Sequence, residues 1–292
     1  HLQYRTGIVI CRDGSIDNAE YVTIPFRGAK GLANIGPMCK YLTERTNIDI
    51  KCSLHIHLGT ISEDRMSIVA LYALAIAIQD ELFTMFPYYK TEWKGYKKQS
   101  YADKLRKLGI GKLDMSMTKE QFKQSVDESY YRIFKWLNND QEPDDDFNRR
   151  NHRHQQTAKW SRTRRYFWLN LMNMFFSTRK TAEFRIHQAT TNKYKITNWL
   201  FICNAIILYA EKYSKQILTG EKEISLDQVI NIYHDLHKNK SAKFLCEYLK
   251  AYIQDRKDYF AKDKAKGDFE SRKELTEDKN YVFSYQGITD LF

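Results

Sequence analysis

The chain has 292 residues, 42% of them hydrophobic, so it can bury a substantial core in one large domain or two smaller ones. It contains no run of roughly eighteen apolar residues, and Gln79, Asp80 and Glu81 interrupt the apolar segment at 72–83, which argues against an ordinary membrane-spanning helix. Five cysteines without C-x-x-C spacing indicate reduced thiols in a cytoplasmic protein. The formal net charge of +11 suits an anionic partner such as ATP, nucleic acid or an acidic peptide, and it does not choose among them.

The first part of the chain predicts a hairpin, a helix, a strand and a second helix. Residues 4–26 hold two short apolar runs around an Asp-Gly dipeptide, which is typical of a hairpin turn. Residues 28–45 place small and apolar residues at helical spacing, with basic residues near the end, as a helix C-terminus prefers. Residues 48–58 alternate in the manner of a strand, and residues 60–86 predict a long apolar helix.

The strand at 48–58 carries two histidines on one face. His55 and His57 point to one side of it, and Leu54, Ile56 and Leu58 point to the other. Neutral imidazole is a metal ligand and a hydrogen-bond partner of phosphate, so the pair could hold a divalent ion and the nucleotide beside it. The same pattern occurs on the solvated face of an edge strand, so the two histidines alone do not define a site.

The rest of the chain predicts an insertion, a strand pair and further helices. Residues 88–156 are rich in lysine, aromatic and acidic residues and indicate a helical insertion with an exposed loop. Residues 164–176 and 181–189 predict two antiparallel strands. Residues 195–218 have the length and apolar density of a buried helix, and further helices are expected through 225–270.

The second strand of that pair carries an acid, a guanidinium and an imidazole. Strand periodicity puts Glu183, Arg185 and His187 on one face, opposite the apolar residues between them. A carboxylate can bind Mg²⁺, and arginine can clamp a phosphate with two hydrogen bonds. The alternative is a ladder of ion pairs on a wet sheet face, where each exposed pair contributes only ~0–1 kcal/mol. The basic segment at 152–165 could grip phosphate or nucleic acid, or it could form a solvated loop that enters the strand.

Four segments follow one another along the chain: DGSIDNAEYVTIPFRG from residue 13, CSLHIHLG from residue 52, RYFWLNL from residue 165 and TAEFRIHQATTNKYKITNWLFICNAIILYA from residue 181. In this order they resemble the amidoligase family, which is related to glutamine synthetase and glutamate-cysteine ligase. The resemblance implies an α+β fold of the glutamine synthetase type, with a mainly antiparallel sheet flanked by helices. It divides the chain into a ligase-like core at 1–86 and 157–218, a helical and charged insertion at 87–156, and a helical C-terminal extension at 219–292.

The resemblance also implies roles for individual side chains. Glu183 and Arg185 match the family's E-F-R strand, in which the glutamate is a metal ligand and the arginine stabilises the phosphoryl group in flight, so both are the candidate catalytic residues. His55 resembles the metal-binding histidine, and His57 would lie nearer the nucleotide phosphates. Glu20 resembles an acidic metal ligand on the second strand. Three arginines are weaker candidates for contacts to ATP: Arg162, Arg164 and Arg165.

Together these roles imply a ligase that depends on ATP and on Mg²⁺ or Mn²⁺. It would join a small-molecule or peptide carboxylate to an amine through an acyl phosphate, giving an amide or isopeptide bond. Such a bacterial or phage-encoded enzyme is expected in the cytoplasm, without a membrane partner and with nucleic acid as a less favoured partner. The residues do not encode the identity of the two substrates or the oligomeric state.

One departure from the family leaves a second interpretation open. Amidoligases carry an E-x-E pair of metal carboxylates on the strand before the D-G-S turn, and Gln3 and Tyr4 do not replace it. Either the missing strand precedes His1, which is expected to lie inside a longer product, or the chain is a degenerate member that keeps the fold without the reaction. The second interpretation predicts a structural role in a phage virion or a role with nucleic acid. We favour the first.

Overall fold

A computed structural model describes residues 7–12, 19–48, 52–59, 62–91, 102–110, 112–138 and 166–266. Within these ranges the fold is α+β, mainly helical with two small antiparallel sheets, which confirms the α+β part of the predicted fold class. The strands are β1 Ile8–Arg12, β2 Ala19–Thr23, β3 Ile56–Leu58, β4 Leu169–Asn170 and β5 Ala182–Phe184. The helices are α1 Gly28–Arg45, α2 Arg65–Phe83, α3 Tyr88–Thr91, α4 Lys119–Leu137, α5 Met172–Phe176, α6 Lys193–Lys212, α7 Ser214–Thr219, α8 Leu226–Ile230, α9 Ile232–His237 and α10 Lys240–Lys266.

The predicted hairpin and the helix after it are both present. β1 and β2 pair antiparallel with Cys11 opposite Glu20, and the predicted turn between them lies outside the described residues. Ile8 is buried at the start of β1, where it belongs to a small apolar cluster with residues of α1 and with Ile196 of α6. Ile10, in the middle of β1, is exposed.

The long apolar helix predicted at 60–86 forms as α2 and lies at the centre of the core. Asp64 caps its N-terminus by accepting a hydrogen bond of 3.0 Å from the Ser67 N–H. Among the described helices, α2 is the one with the length and apolar composition to cross a membrane. It packs against α4, α6 and α7, and 67% of its apolar window is buried inside the protein, as in the core helix of a globular domain.

The second sheet has the strand order β3-β5-β4, and both of its pairings are antiparallel. The antiparallel pairing of the two predicted strands is confirmed, but the strand predicted at 164–176 is wrong beyond Asn170. β4 ends there and α5 begins at Met172, because Asn170 Oδ1 accepts the Met172 N–H at 2.9 Å and the chain turns. The apolar run at 171–176 is buried as a helix, and a short apolar run does not distinguish a strand from a buried helix.

A β-bulge interrupts the pairing of β3 and β5. Ile56 lies opposite Phe184, and Ser53 forms an isolated bridge with Gln188. Between these two pairs, the chain of β5 advances by four residues, from 184 to 188, and the chain of β3 advances by three, from 53 to 56. One extra residue is thus inserted on the β5 side, and the alternation of side chains reverses across it.

The bulge removes His187 from the face that was predicted for it. His187 is buried, and its ring packs against those of Phe86 and Trp199 with centroid distances of 5.5 and 5.7 Å. The predicted alignment of His187 with Glu183 and Arg185 is therefore wrong. Glu183 and Arg185, which precede the reversal, stay in contact with each other.

Helices of the predicted insertion and of the predicted extension share one apolar core with α2 and β5. Ile133 of α4 and Leu249 of α10 are fully buried in the same cluster as Leu71 of α2 and Phe184 of β5. The division into ligase-like core, insertion and extension stays a prediction, because it concerns sequence resemblance and not separate packing units.

Candidate active site

A row of polar side chains crosses the three-stranded sheet. His57 on β3 and Asn170 on β4 both lie opposite Glu183 on β5, one on each side. Residues that lie opposite each other in an antiparallel pair project to the same side of the sheet. Glu183 is therefore the centre of the row, and it is buried with 5% of its surface exposed.

The two oxygens of Glu183 have different surroundings. Oε1 lies 3.3 Å from His55 Nδ1 and 3.7 Å from His57 Nε2, and Arg185 Nη1 donates a hydrogen bond to it. Oε2 accepts a hydrogen bond of 2.6 Å from Asn170 Nδ2. One carboxylate thus brings together a guanidinium, two imidazoles and an amide.

The site is closed on the β4 side and open toward β3. Side-chain exposure rises from 7% at Glu183 and 10% at Arg185 to 26% at His55 and 45% at His57. A ligand from solvent would therefore reach Oε1 past the two histidines. The ring of Tyr166 lies beneath the guanidinium of Arg185, with 5.8 Å from Cζ to the ring centroid, within cation–π range.

A short chain of polar contacts leads to the outermost histidine. His57 Nδ1 lies 3.5 Å from Thr181 Oγ1, and Asn173 Nδ2 donates to the same hydroxyl oxygen at 3.4 Å. Both partners come from the segment between β4 and β5, close to the end of β3. This end of the sheet thus carries polar neighbours for the exposed histidine as well as for Glu183.

The opposite side of the sheet rests on an aromatic cluster. Phe184 contacts Trp199 of α6 edge-on, with a centroid distance of 6.2 Å, and Trp199 also packs against Phe86 at 5.1 Å. Phe184, Trp199 and Phe86 are each less than 3% exposed. Dense packing of this kind restricts side-chain motion, so the backbone that carries Glu183 has a firm support.

The structure brings together four of the predicted site residues and separates one from them. His55, His57 and Arg185 surround one carboxylate oxygen of Glu183. Glu20 lies exposed on β2, in the other sheet, and no contact joins it to that group among the described residues. Three predicted arginines lie outside the described residues: Arg162, Arg164 and Arg165.

Sequence reasoning missed Asn170 and Thr181 as neighbours of the site. Asn170 was inside the segment RYFWLNL, and that resemblance was the one signal that could have drawn attention to it. Periodicity could not find it, because only the register of β4 against β5 puts Asn170 opposite Glu183. Thr181 contacts His57 across two segments that are 124 residues apart in the chain.

The donor set around Glu183 fits a divalent cation that keeps most of its ligands outside the protein. Mg²⁺ is usually bound by one or two carboxylates together with phosphate oxygens and waters. The row offers one carboxylate, a ligand type that suits Mn²⁺ as well as Mg²⁺, and two imidazoles flank it. Within the described ranges, no three His, Cys, Asp or Glu side chains are already arranged to hold a metal ion. Glu183 could therefore hold Mg²⁺ only together with ligand oxygens.

The family model described as "Putative amidoligase enzyme" matches residues 13–207, a span that contains β2 to β5 and the whole polar row. The chain therefore belongs to the amidoligase family. No curated protein and no solved structure matches it significantly.

Proposed function

We propose that this amidoligase is an ATP- and Mg²⁺-dependent carboxylate–amine ligase that forms an amide or isopeptide bond. The observation that carries the proposal is the convergence of Arg185, His55 and His57 on one oxygen of Glu183 in a chain of this family. Such a group combines a cation-binding carboxylate with phosphate-binding donors. A glutamine synthetase-like arrangement of the sheet is part of the same proposal.

The proposed reaction has two group transfers. A carboxylate oxygen of the first substrate attacks the γ-phosphorus of ATP, the bond to the β-phosphate oxygen breaks, and an acyl phosphate and ADP result. The amine nitrogen then attacks the acyl carbon, the carbon–oxygen bond to phosphate breaks, and inorganic phosphate leaves. The nitrogen loses a proton to solvent or to a nearby base. The first step needs positive charge around the transferred phosphoryl group.

Arg185, Glu183 and the two histidines each have a role in this proposal. Arg185 provides a fixed guanidinium for the phosphoryl oxygens, held in place by Glu183 and by the ring of Tyr166. Glu183 would hold Mg²⁺, and a bound Mg²⁺ would supply charge neutralisation at the phosphates. His57, the most exposed of the group, donates to a phosphate at the open side, and His55 lies between it and the buried carboxylate.

The remaining predicted contacts stay part of the proposal. Glu20 would be a further metal ligand, and Arg162, Arg164 and Arg165 would contact ATP. The substrates would be a small-molecule or peptide carboxylate and an amine, in the cytoplasm of a bacterium or a phage-infected host.

A second candidate function is supported by the hydrogen bonds that the carboxylate of Glu183 already accepts. Arg185 and Asn170 already donate to its two oxygens, and the row has one carboxylate where the family expects several. A degenerate amidoligase that keeps the fold would tolerate this arrangement without any cation. It would then have a structural role in a virion or a role with nucleic acid, and nucleic-acid binding would weaken steeply with added salt.

ATP turnover separates the two candidates. ADP release would be measured for the full chain with Mg²⁺ and a panel of amino acids and ammonium as substrates. For Glu183→Gln and Arg185→Ala we expect losses of at least ~10²-fold, because each stabilises charge in the transition state. Glu81→Gln is the matched control, since it makes the same substitution in a half-buried carboxylate on α2, and it should keep the wild-type rate.

Two outcomes would contradict the proposal. Equal rates for wild type and Glu183→Gln would remove the assigned roles from the row. A wild-type chain without turnover for any pair of substrates, but with salt-sensitive binding to DNA or RNA, would favour the degenerate family member.

A further inference from the structure

Asn170 lies where β4 turns into α5, and both ends of its side chain are engaged. The Met172 N–H donates to Oδ1 at 2.9 Å, and Nδ2 donates to Glu183 Oε2 at 2.6 Å. A backbone N–H can only donate, so the atom that faces Met172 must be the carbonyl oxygen of the amide. The NH₂ group must then face Glu183. The first residue of α5 thus determines which end of Asn170 the carboxylate meets.

Asn170 occupies Oε2, so Oε1, which accepts from Arg185 and faces the two histidines, is the oxygen that a ligand from solvent would reach. The last torsion of a glutamate side chain is soft and roughly two-fold, so an unanchored carboxylate turns easily. With Oε2 held by Asn170, Oε1 stays on the side of His55 and His57. Asn170 and Glu183 are both 5% exposed, so little water is present to compete for this hydrogen bond.

We infer that Asn170 is a positioning residue, which fixes the rotation of Glu183 so that Oε1 faces the cation and the nucleotide phosphates. The identity of that ligand rests on the proposed function, whereas the anchoring of the carboxylate does not. Removing a hydrogen-bond partner of a ligating carboxylate typically lowers metal affinity or activity about 10–100-fold. The same range is expected when Asn170 is truncated.

Crystal structures of the wild type and of Asn170→Ala test the anchoring directly, without ATP or metal. In the variant the carboxylate of Glu183 should rotate, so that the Oε1–His57 Nε2 distance departs from the 3.7 Å of the wild type. A carboxylate that keeps its orientation overturns the inference. Asn170→Ser is the second variant should the alanine variant not fold, because serine keeps an acceptor near Met172 and does not reach Glu183.

Mn²⁺ binding, followed by the EPR signal of the free ion, tests the functional consequence. Asn170→Ala should bind Mn²⁺ about 10–100-fold more weakly than the wild type. In a Glu183→Gln background the same substitution should cause no further loss, because Asn170 acts through Glu183. An equal loss in both backgrounds would show a merely structural role and overturn the inference.

Asn198→Ala is the matched control. Asn198 is a fully buried asparagine of α6 that donates to Tyr248 Oη at 3.0 Å, away from the row. This variant should lose stability and keep the wild-type Mn²⁺ affinity. A wild-type chain that binds no Mn²⁺ counts against the proposed function, and the crystal structures then decide the role of Asn170 alone.

Discussion

Glu183 and Glu81 are two glutamates whose carboxylate oxygens have partners of the same kinds. Glu81 Oε2 accepts the Leu226 N–H at 2.9 Å, and Oε1 lies 2.6 Å from Lys257 Nζ. Glu183 likewise has an N–H donor on Oε2 and cationic or potentially cationic groups around Oε1. The local pattern of hydrogen bonds therefore does not distinguish the two.

The two glutamates differ in the number of polar groups that surround one carboxylate. Within the described ranges, Glu81 meets one ammonium and one backbone N–H, which satisfy its charge and its two oxygens, and it links α2 to α8 and α10. Glu183 meets a guanidinium and two imidazoles at one oxygen, which is more than one carboxylate requires. The proposed function assigns these additional groups at the open sheet face to an anionic ligand, whereas the balanced pair at Glu81 is a structural link.

The largest expected effect comes from removing the support beneath Glu183. Trp199→Ala deletes a buried ring that packs against Phe184 and Phe86, and it should lower the free energy of unfolding by about 3–5 kcal/mol. Urea unfolding followed by circular dichroism measures this. Trp199→Phe is the control, because it keeps an aromatic ring and the indole N–H has no partner within the described structure, so this swap should cost clearly less than the alanine variant. Equal costs for both variants would show that the ring does not support the sheet.

A smaller effect is expected at Glu81, the carboxylate that links α2 to α8 and α10. Burial raises the pKa of Glu81, but the hydrogen bonds from Lys257 and the Leu226 N–H outweigh it, so the pKa lies below the ordinary glutamate value of 4.5. A depressed pKa gives stability that is present above the unfolded-state value and is lost as the pH falls through the folded-state value. Glu81→Gln should therefore reduce stability by about 1 kcal/mol or less at neutral pH, given its partial exposure.

Urea unfolding at several pH values checks this dependence. The difference in stability between wild type and Glu81→Gln should shrink as the pH falls below 4.5. A difference that is constant over this range would mean that the charge of Glu81 does not contribute to the link.

The smallest effect is expected at Glu20, an exposed carboxylate on β2 that forms no hydrogen bond or ion pair with the described part of the chain. Glu20→Gln should change the free energy of unfolding by less than about 0.5 kcal/mol, as for most surface substitutions. Mn²⁺ titration of the same variant tests its predicted role as a metal ligand. A marked loss of Mn²⁺ affinity would show that Glu20 of the hairpin contributes to the metal site. The comparison of Glu183 with Glu81 would then include a third carboxylate.

Much of the fold was accessible from local patterns. The apolar periodicity of α1, α2 and α6 and the alternation of β3 predicted these elements, because each pattern repeats within one segment. The segment after β4 was misjudged, since its apolar residues suit a strand as well as a buried helix. The hydrogen bond between Asn170 and Met172 decides for the helix.

The sequence by itself determined that His55 and His57 share one strand face and that Glu183 and Arg185 belong to another strand. Only the tertiary structure decided that the two histidines and Arg185 surround one oxygen of Glu183 and that Asn170 holds its other oxygen. It also decided that a bulge turns His187 into the core. The physical reason is that side-chain alternation is a property of one strand. Register and bulges depend on contacts between strands that are more than one hundred residues apart.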